Sequence, residues 1–282
     1  MNIIRHPSDM QRWALEQRRA GVRVGFVPTM GYLHEGHLSL VKIARAHADV
    51  VVVSIFVNPT QFGPNEDFAK YPRDWGRDER LCREGGVDVL FAPPAEEMYA
   101  HDASIGIQES RLSSGLCGAS RPGHFAGVCT VVAKLFNLVQ PSCAVFGEKD
   151  AQQLRVIRRM VRDLNLPVEI IPGPIVREAD GLAMSSRNAR LKPEERAQAI
   201  ALRRALDAVE KEFAEGERDA DVLRKLARNV IEQAPLARVD YVEIVDDETL
   251  DPVILIERDV LCALAVHFPS ARLIDNSVLR LS

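Results

Sequence analysis

Two histidines at the start of a helical pattern are the side chains in this sequence best suited to phosphate chemistry. His34 and His37 lie three residues apart, with Gly36 between them, directly after an apolar segment. Residues three apart near a helix start project to the same side, so both imidazoles can reach one polyphosphate. Imidazole donates hydrogen bonds to a pentavalent phosphorus without needing a full charge. The spacing therefore predicts a phosphate-binding pair, with two unrelated surface histidines as the alternative.

A second short segment combines two hydroxyls with a guanidinium. Ser185, Ser186 and Arg187 follow Met184 and lie close to Gly181, the one backbone hinge nearby. A mobile loop that brings these groups over a bound triphosphate neutralises charge as pyrophosphate departs. As an isolated tetrapeptide the pattern is unspecific, and it gains meaning beside the histidine pair.

Polar side chains also follow other apolar segments. Asn58 and Gln61 come directly after the run Val50–Val57 and offer neutral amides to a hydroxylated substrate. His124 stands with Arg121 at the entry to a long apolar helix, a position that suits anion binding. An ordinary shaped loop and a capping or packing histidine are the alternatives for these two segments.

A charged turn ends a further apolar segment. Lys149 can place a point charge beside a phosphate, and Asp150 can bond a ribose hydroxyl or a substrate group. The turn is not a P-loop, because the pattern G-x-x-x-x-G-K-[ST] is absent. A solvated charged turn is the alternative.

Strand-like and helix-like segments alternate through the first two thirds of the chain and must position these groups. Apolar runs without polar alternation indicate strands buried on both faces of a parallel sheet, and repeated β-α units imply right-handed crossovers. Ligands bind at the carboxyl edge of such a sheet. The predicted elements are strands at Val22–Val27, Val50–Val57, Val87–Phe91 and Cys143–Phe146, a helix capped by Ser8 and Asp9 that reaches Arg19, and a helix at Phe125–Leu138.

The pattern changes near Val176, where charged helices are followed by alternating strands. We therefore predict an α/β chain, with a Rossmann-like parallel-sheet domain over residues 1–176 and a smaller α+β domain over residues 177–282. The elements predicted for the second domain are helices at Pro193–Glu215 and Ala220–Gln233, and strands at Val239–Val245, Val253–Ile256, Val260–His267 and Arg272–Ile274.

Composition restricts the class of partner. The chain has 282 residues, 46% of them hydrophobic, and a net charge of −4, which argues against bulk electrostatic binding to nucleic acid or to an anionic membrane. The five cysteines are scattered and form no C-x-x-C pair, as expected of reduced core thiols. The first residues lack an apolar signal region, and no apolar run approaches membrane-spanning length. We expect a cytoplasmic protein.

The two phosphate-directed segments resemble the HIGH and KMSKS elements of nucleotidyltransferases, enzymes that cut ATP between its α- and β-phosphates. A wider set of motifs is similar to the pantoate–β-alanine ligase family over nearly the whole chain. These motifs are PTMGYLHEGH, FVNPTQF, YPRD, RPGHFAGVCTVVAKLF, FGEKDAQQ and READGLAMSSRN. The resemblance implies that ATP and pantoate form a pantoyl adenylate, which β-alanine attacks to give pantothenate and AMP. It also implies a homodimer.

The resemblance further assigns roles to residues of this sequence. It implies that His34, His37, Lys149 and Arg187 are catalytic. It implies an ATP site formed by Met30, Gly31, His34, His37, Gly147, Lys149, Asp150, Val176, Met184, Ser185, Ser186 and Arg187, and a pantoate and β-alanine site formed by Gln61, Gln153, Asn58 and His124. Mg²⁺ is expected with ATP. Asp78 is the best-matched acid to bind it, and the chain departs from some relatives at Arg77, which stands where they have a second acid.

Three other functions fit parts of the pattern. Another α/β nucleotidyltransferase, one that joins a nucleotide to a phosphorylated alcohol, shares the histidine pair. A zinc hydrolase is the metal-dependent alternative, but its helix requires H-E-x-x-H, with the histidines four apart. A binding protein without catalytic activity is the third alternative, and the full set of phosphate-directed residues argues against it.

Overall fold

The computed structural model describes residues 1–64 and 66–281, and the chain divides into two compact units. Val176 begins the long segment of the second unit, next to the predicted domain boundary. Two short segments that the prediction placed in the first domain also belong to the second unit. The first unit comprises Met1–Ser110, Arg121–Glu148 and Gln153–Ile175, and the second comprises Arg111–Ser120, Lys149–Gln152 and Val176–Ser282.

A six-stranded sheet forms the framework of the first unit, and every strand pair in it is parallel. The predicted parallel sheet is therefore confirmed, although its two edge strands, β1 and β6, were not predicted. The strands are β1 Asn2–Ile4, β2 Val24–Thr29, β3 Val50–Ile55, β4 Val89–Phe91, β5 Cys143–Gly147 and β6 Glu169–Gly173, in the order β1-β4-β3-β2-β5-β6.

Ten α-helices lie in the part of the chain that the structure describes. The first begins at Pro7, with His6 as its N-cap, so the predicted caps Ser8 and Asp9 are wrong. Proline is favoured in the first turn because its missing N–H would have no helical partner there. The helices are α1 Pro7–Arg19, α2 Glu35–His47, α3 Trp75–Glu84, α4 Ala95–Met98, α5 Leu116–Ser120, α6 His124–Val139, α7 Ala151–Asp163, α8 Pro193–Ala199, α9 Ala201–Ala214 and α10 Ala220–Glu232.

The strand order reverses at β2. The chain adds β3 and β4 on one side of β2, and then crosses back to add β5 and β6 on the other side. In open α/β sheets the crevice at such a reversal, beyond the carboxyl ends of the strands, is the usual ligand site. Residues that directly follow β2 and β5 are therefore placed where a nucleotide is expected.

The second unit contains a three-stranded antiparallel sheet, β7 Arg238–Asp246, β8 Val260–His267 and β9 Arg272–Leu279. The predicted strand Val253–Ile256 is wrong. This segment forms one isolated bridge, between Leu255 and Asp219, and the N–H of Ala220, the first residue of α10, donates to the Ile254 carbonyl. Ile254 is 81% exposed, so its apolar character does not reflect a sheet position.

The predicted helix Pro193–Glu215 is two helices, α8 and α9, which meet at Ile200. A buried apolar cluster of α9, α10 and the antiparallel sheet forms the core of the second unit. Among the described residues, no helix is both long enough and apolar enough to cross a membrane.

One glycine sets the spacing of elements next to the carboxyl edge of the sheet. Gly127, in the first turn of α6, packs directly on the 3-10 turn Pro59–Gln61. A Cβ atom at Gly127 would lie 2.4 Å from the carbonyl oxygen of Thr60. Because that atom is backbone, it cannot rotate away, so this helix and this turn require glycine for their close approach.

We expect Gly127→Ala to lower the free energy of unfolding by about 1–3 kcal/mol, since an extra carbon in a filled space forces the backbone to shift. Urea denaturation measures the change. Gly76→Ala is the matched control, because Gly76 is also helical and a Cβ there would meet nothing within 4 Å. Equal stability of the two variants would contradict the packing argument.

Candidate active site

The turn between β2 and α2 carries the histidine pair in an uncommon backbone conformation. Gly31 has φ = 85° and Tyr32 has φ = 51°, both in the left-handed region. A tyrosine adopts this region only where its surroundings fix it. The Gly31 N–H donates to Thr29 Oγ1 at 3.1 Å, and that hydroxyl in turn donates to the Ser54 carbonyl at 2.7 Å. The turn is thereby attached to both β2 and β3.

His34 and His37 lie on the same side of the start of α2, as predicted from their spacing. Their ring centroids are 4.1 Å apart. The backbone N–H of His34, the N-cap residue, donates to His37 Nδ1 at 3.3 Å. Since Nδ1 accepts this bond, a neutral His37 carries its proton on Nε2. The helix start therefore presents an imidazole donor together with its positive dipole end.

Asp78, in the first turn of α3, does not fit the predicted role of Mg²⁺ ligand. Its side chain is buried, and its two oxygens accept the backbone N–H groups of Tyr32 at 2.8 Å and Leu33 at 2.7 Å. Burial raises the pKa of the Asp78 carboxyl above its usual value, although these two hydrogen bonds act in the opposite direction. Within residues 1–64 and 66–281, no three His, Cys, Asp or Glu side chains are grouped to hold a metal ion.

A buried amide fixes the orientation of Gln61. Asn58 is 1% exposed, and its Nδ2 donates to Gln61 Oε1 at 3.1 Å and to the Gly127 carbonyl at 3.1 Å. Its Oδ1 accepts from the Tyr99 hydroxyl at 2.8 Å and from Thr60. Asn58 thus has protein partners for both its amide nitrogen and its amide oxygen, and its role is to hold the Gln61 side chain in one orientation.

The amide nitrogen of Gln61 takes no part in the bond to Asn58 and points toward Met30. Gln61 Nε2 lies 3.2 Å from the sulfur of Met30, the residue that follows β2. Thioether sulfur is a weak acceptor, so a carboxylate or hydroxyl oxygen of a ligand would readily replace it. This contact brings together the loops after β2 and β3, which the sequence predicted separately.

His124 also acts on Gln61, through the backbone. Its Nε2 lies 3.0 Å from an Arg121 guanidinium nitrogen, which can only donate, and its Nδ1 lies 2.9 Å from the Gln61 carbonyl. His124 is therefore neutral, with its proton on Nδ1. Arg121 pairs with Glu66 at 2.6 Å. Burial acts to raise the pKa of the Glu66 carboxyl, but its hydrogen bonds to Arg121 and the Gly63 backbone, together with nearby positive charge, lower the pKa overall.

The remaining predicted residues of the first unit lie at the end of β5 and shortly after it. Gly147 is the last residue of that strand, at the strand-order reversal. Gln153 lies in the first turn of α7 and is partly buried. Both are therefore at the carboxyl edge of the sheet, where the sequence predicted them.

Lys149 belongs to the second unit, where its backbone is attached to β9. The Lys149 carbonyl accepts from Asn276 Nδ2 at 2.9 Å, while Asn276 N–H donates to Asp275 Oδ1. Asp275 is 2% exposed and pairs with Arg177 at 2.7 Å, and Arg177 also donates to the Gly181 carbonyl. A continuous set of contacts thus joins the Lys149 turn to the loop that precedes Ser185. Asp150, next to Lys149, is exposed.

Hydrogen bonds within the loop hold the segment that carries the two serines. Met184 N–H donates to the Val176 carbonyl at 2.9 Å, and Gly181 makes the turn between them with φ = 93°. The Arg187 N–H donates to Ser185 Oγ at 3.2 Å, which starts the 3-10 turn Ser186–Arg190. Ser186 is buried, whereas Ser185 and Arg187 are partly exposed. The predicted phosphate-binding residues of this loop are therefore neighbours in one short turn.

An arginine on α8 holds this loop from outside. Arg196 pairs with Glu178 at 2.7 Å and with Asp180 at 2.6 Å, and its hydrogen bond lowers the pKa of the Asp180 carboxyl. The other oxygen of Glu178 accepts from Asn188 Nδ2 at 2.7 Å. Glu178 thus links the two ends of the loop, from residue 178 to residue 188.

Comparison with known proteins gives one consistent result. The family model described as "Pantoate-beta-alanine ligase" matches residues 2–278. A pantothenate synthetase from Thermotoga neapolitana is 58% identical over 99% of this chain and 100% of its own length. The chain belongs to the pantoate–β-alanine ligase family. It is an enzyme of the pantothenate synthetase class.

Solved structures of the ligase family have the same fold. The crystal structure of pantothenate synthetase from Thermus thermophilus has a TM-score of 0.92 at 49% identity, covering 98% of this chain and 99% of that one. A pantoate–β-alanine ligase from Francisella tularensis, solved in complex with β,γ-ATP and β-alanine, has a TM-score of 0.79 at 32% identity, covering 99% and 97%.

Sequence reasoning missed the residues that hold the Lys149 turn and the serine-containing loop in place. Glu178 and Asn188 were inside a motif used for the resemblance, so their pairing had a signal in the ten-residue spacing around a glycine turn. Asp275 and Asn276 had none, because they lie in a strand pattern about 100 residues further along the chain.

We expect Glu178→Gln to loosen the loop, because the new amide group would face Arg196 and remove the ion pair. Trypsin cleavage after Arg187 and Arg190 should rise roughly tenfold, the effect of ~1.4 kcal/mol on local opening. Mass spectrometry of timed digests measures it. Glu194→Gln, at an exposed position of α8, is the control and should digest like wild type. Unchanged cleavage in Glu178→Gln would show that the ion pair does not hold the loop.

Proposed function

We propose that this chain condenses (R)-pantoate with β-alanine at the expense of ATP, releasing pantothenate, AMP and diphosphate through a pantoyl adenylate. The observation that carries the proposal is the His34–His37 pair at the reversal of the strand order, with the proton of His37 fixed on Nε2. Family membership supports pantoate and β-alanine as the two molecules that are joined. The Francisella relative was solved with β,γ-ATP and β-alanine.

In the first step a carboxylate oxygen of pantoate attacks the α-phosphorus of ATP. The new P–O bond forms as the bond to the β-phosphate oxygen breaks, and diphosphate leaves with that electron pair. His34 and His37 donate hydrogen bonds to phosphate oxygens whose charge grows in this step, and the N-terminus of α2 adds its partial positive charge. Met30 and Gly31 supply backbone contacts to ATP, and Gly147 lines the same edge of the sheet.

Pantoate is held by neutral amides. Gln61 donates through Nε2, since its Oε1 is already bonded to Asn58. Gln153 supplies a second amide. Asn58 and His124 contribute to pantoate binding through Gln61, because one fixes the side chain and the other fixes the carbonyl of that residue.

In line with the family resemblance, further cations and hydroxyls bind ATP. Lys149, Ser185, Ser186 and Arg187 bind phosphate oxygens, and Asp150 bonds a ribose hydroxyl. Val176 and Met184, whose backbones pair with each other, complete the ATP-binding set. Mg²⁺ enters the proposal only as a counter-ion bound to the phosphates of ATP.

In the second step the amine of β-alanine attacks the acyl carbon of the adenylate. The C–N bond forms, the bond from the acyl carbon to the phosphate oxygen breaks, and AMP leaves with the electron pair while the amine loses a proton. A mixed anhydride hydrolyses in water, so this step requires a site from which water is excluded. We also propose that the protein is cytoplasmic, in keeping with its five free, buried cysteines. Family resemblance supports a homodimer, which light scattering in solution tests.

Product analysis tests the reaction directly. Incubation with ATP, pantoate and β-alanine should give pantothenate and AMP in equal amounts, identified by mass spectrometry. Omitting β-alanine should leave pantoate-dependent exchange of labelled diphosphate into ATP. ADP as the product would contradict the proposal. Exchange that needs a phosphorylated alcohol instead of a carboxylic acid would favour the other nucleotidyltransferase.

We expect His37→Asn to lower pantoate-dependent diphosphate exchange by on the order of 10²-fold, the usual effect of losing one transition-state donor. The asparagine oxygen can still accept from the His34 N–H, so the melting temperature should not change. His47→Asn, at an exposed position of the same helix, is the control. Near-normal exchange in His37→Asn would contradict the role of Nε2.

A further inference from the structure

Asp78 occupies a concave surface made of backbone N–H groups. The left-handed backbone at Gly31 and Tyr32 turns the N–H groups of Tyr32 and Leu33 toward the same point. Successive N–H groups in such a turn form an anion-binding concavity. In this chain a carboxylate from α3, 45 residues further along, fills that concavity, one oxygen to each N–H.

Protein atoms surround the carboxylate closely, and Asp78 is 2% exposed. A Cβ atom at Gly31 would lie 3.0 Å from Asp78 Oδ2, so the glycine backbone packs against that oxygen. The guanidinium of Arg77 lies 4.9 Å from the ring centroid of Tyr32 and adds positive charge to the same neighbourhood. Each oxygen already accepts one backbone N–H, and so buried a carboxylate does not offer the space that Mg²⁺ needs for the waters it keeps.

The turn that Asp78 holds leads directly into the histidine pair. Leu33 is 1% exposed in the core, and His34 is the next residue. The His34 N–H makes the bond that fixes the proton of His37. A shift of the Leu33 N–H therefore moves His34 and weakens the bond that determines which nitrogen of His37 donates.

We propose that Asp78 is a positioning residue of the first half-reaction, and that its carboxylate acts as an internal anion for the β2–α2 turn instead of as a ligand for Mg²⁺. This inference rests on the proposed function, since it assigns the task of Asp78 in adenylate formation. The residue touches neither the substrates nor the metal, and it acts through the placement of His34 and His37.

Asp78→Asn tests the role with little change of shape. The amide has one acceptor oxygen, so its NH₂ group must face one of the two backbone N–H groups. The kcat of pantoate-dependent diphosphate exchange should fall about 10²-fold, the scale expected when a catalytic group is misplaced by about 1 Å. The KM for pantoate should stay within a factor of about two, because Gln61 is held by other residues.

A Mg²⁺ titration separates positioning from metal binding. In Asp78→Asn the Mg²⁺ concentration for half-maximal exchange should equal that of wild type. Asp74→Asn is the control on the same helix: Asp74 is the N-cap of α3, and asparagine caps a helix as well as aspartate does, so kcat should not change. A Mg²⁺ requirement raised tenfold or more, with kcat recovered at high Mg²⁺, would overturn the proposal. So would wild-type kcat in Asp78→Asn.

A measurement on the wild-type protein tests the same claim if the variant does not fold. The amide protons of Tyr32 and Leu33 should exchange with solvent as slowly as those inside β2, followed by ¹H–¹⁵N NMR, with ATP alone and with Mg²⁺ and ATP. Fast exchange, or loss of protection when Mg²⁺ is added, would overturn the proposal. Absence of pantoate-dependent exchange in the wild type would instead refute the proposed function itself.

Discussion

Four consecutive backbone N–H groups, from Gly31 to His34, must find partners where β2 has ended and α2 has not yet begun. The partners are Thr29 Oγ1, the two oxygens of Asp78, and His37 Nδ1. A buried N–H without a partner costs free energy comparable to a lost hydrogen bond, so each of these bonds restricts the backbone. Because the four acceptor atoms come from three different elements, β2, α2 and α3, one conformation of the turn satisfies all of them. The histidine pair obtains its geometry from that conformation.

The loop after β3 depends on the same kind of interior support. Asn58 directs its hydrogen bonds inward and so determines which end of the Gln61 amide can meet a ligand. Gly127 allows α6 to approach closely enough for its carbonyl to accept one of those bonds. The residues proposed to contact substrate are thus held by neighbours whose polar groups are already paired, which is the usual requirement for a preorganised site.

The serine-containing loop of the second unit is supported differently. Its ends are held by Arg196 with Glu178 and Asp180, whose side chains are each more than a quarter exposed. Partly exposed ion pairs are individually weak and are screened by salt, whereas a buried carboxylate with two backbone donors is costly to open. The chain therefore gives strong support to the turn before the histidines and weaker support to a loop whose proposed task, neutralising a departing diphosphate, requires movement.

Local sequence was sufficient for elements whose pattern repeats along the chain. The buried strands β2 and β3 were predicted from continuous apolar runs, and the shared side of the histidine pair from its spacing. The strand Val260–His267 was also predicted, and the shared motifs identified the family. It was not sufficient where the partner is distant: three-residue β1 exists only because β4 pairs with it, and Val253–Ile256 has no strand partner. Asp78 is the clearest case. The sequence shows that residue 78 is an acid, but the fold decides whether its carboxylate binds a metal ion or two backbone N–H groups. The reason is that hydrogen-bond partners depend on distances in space and not along the chain.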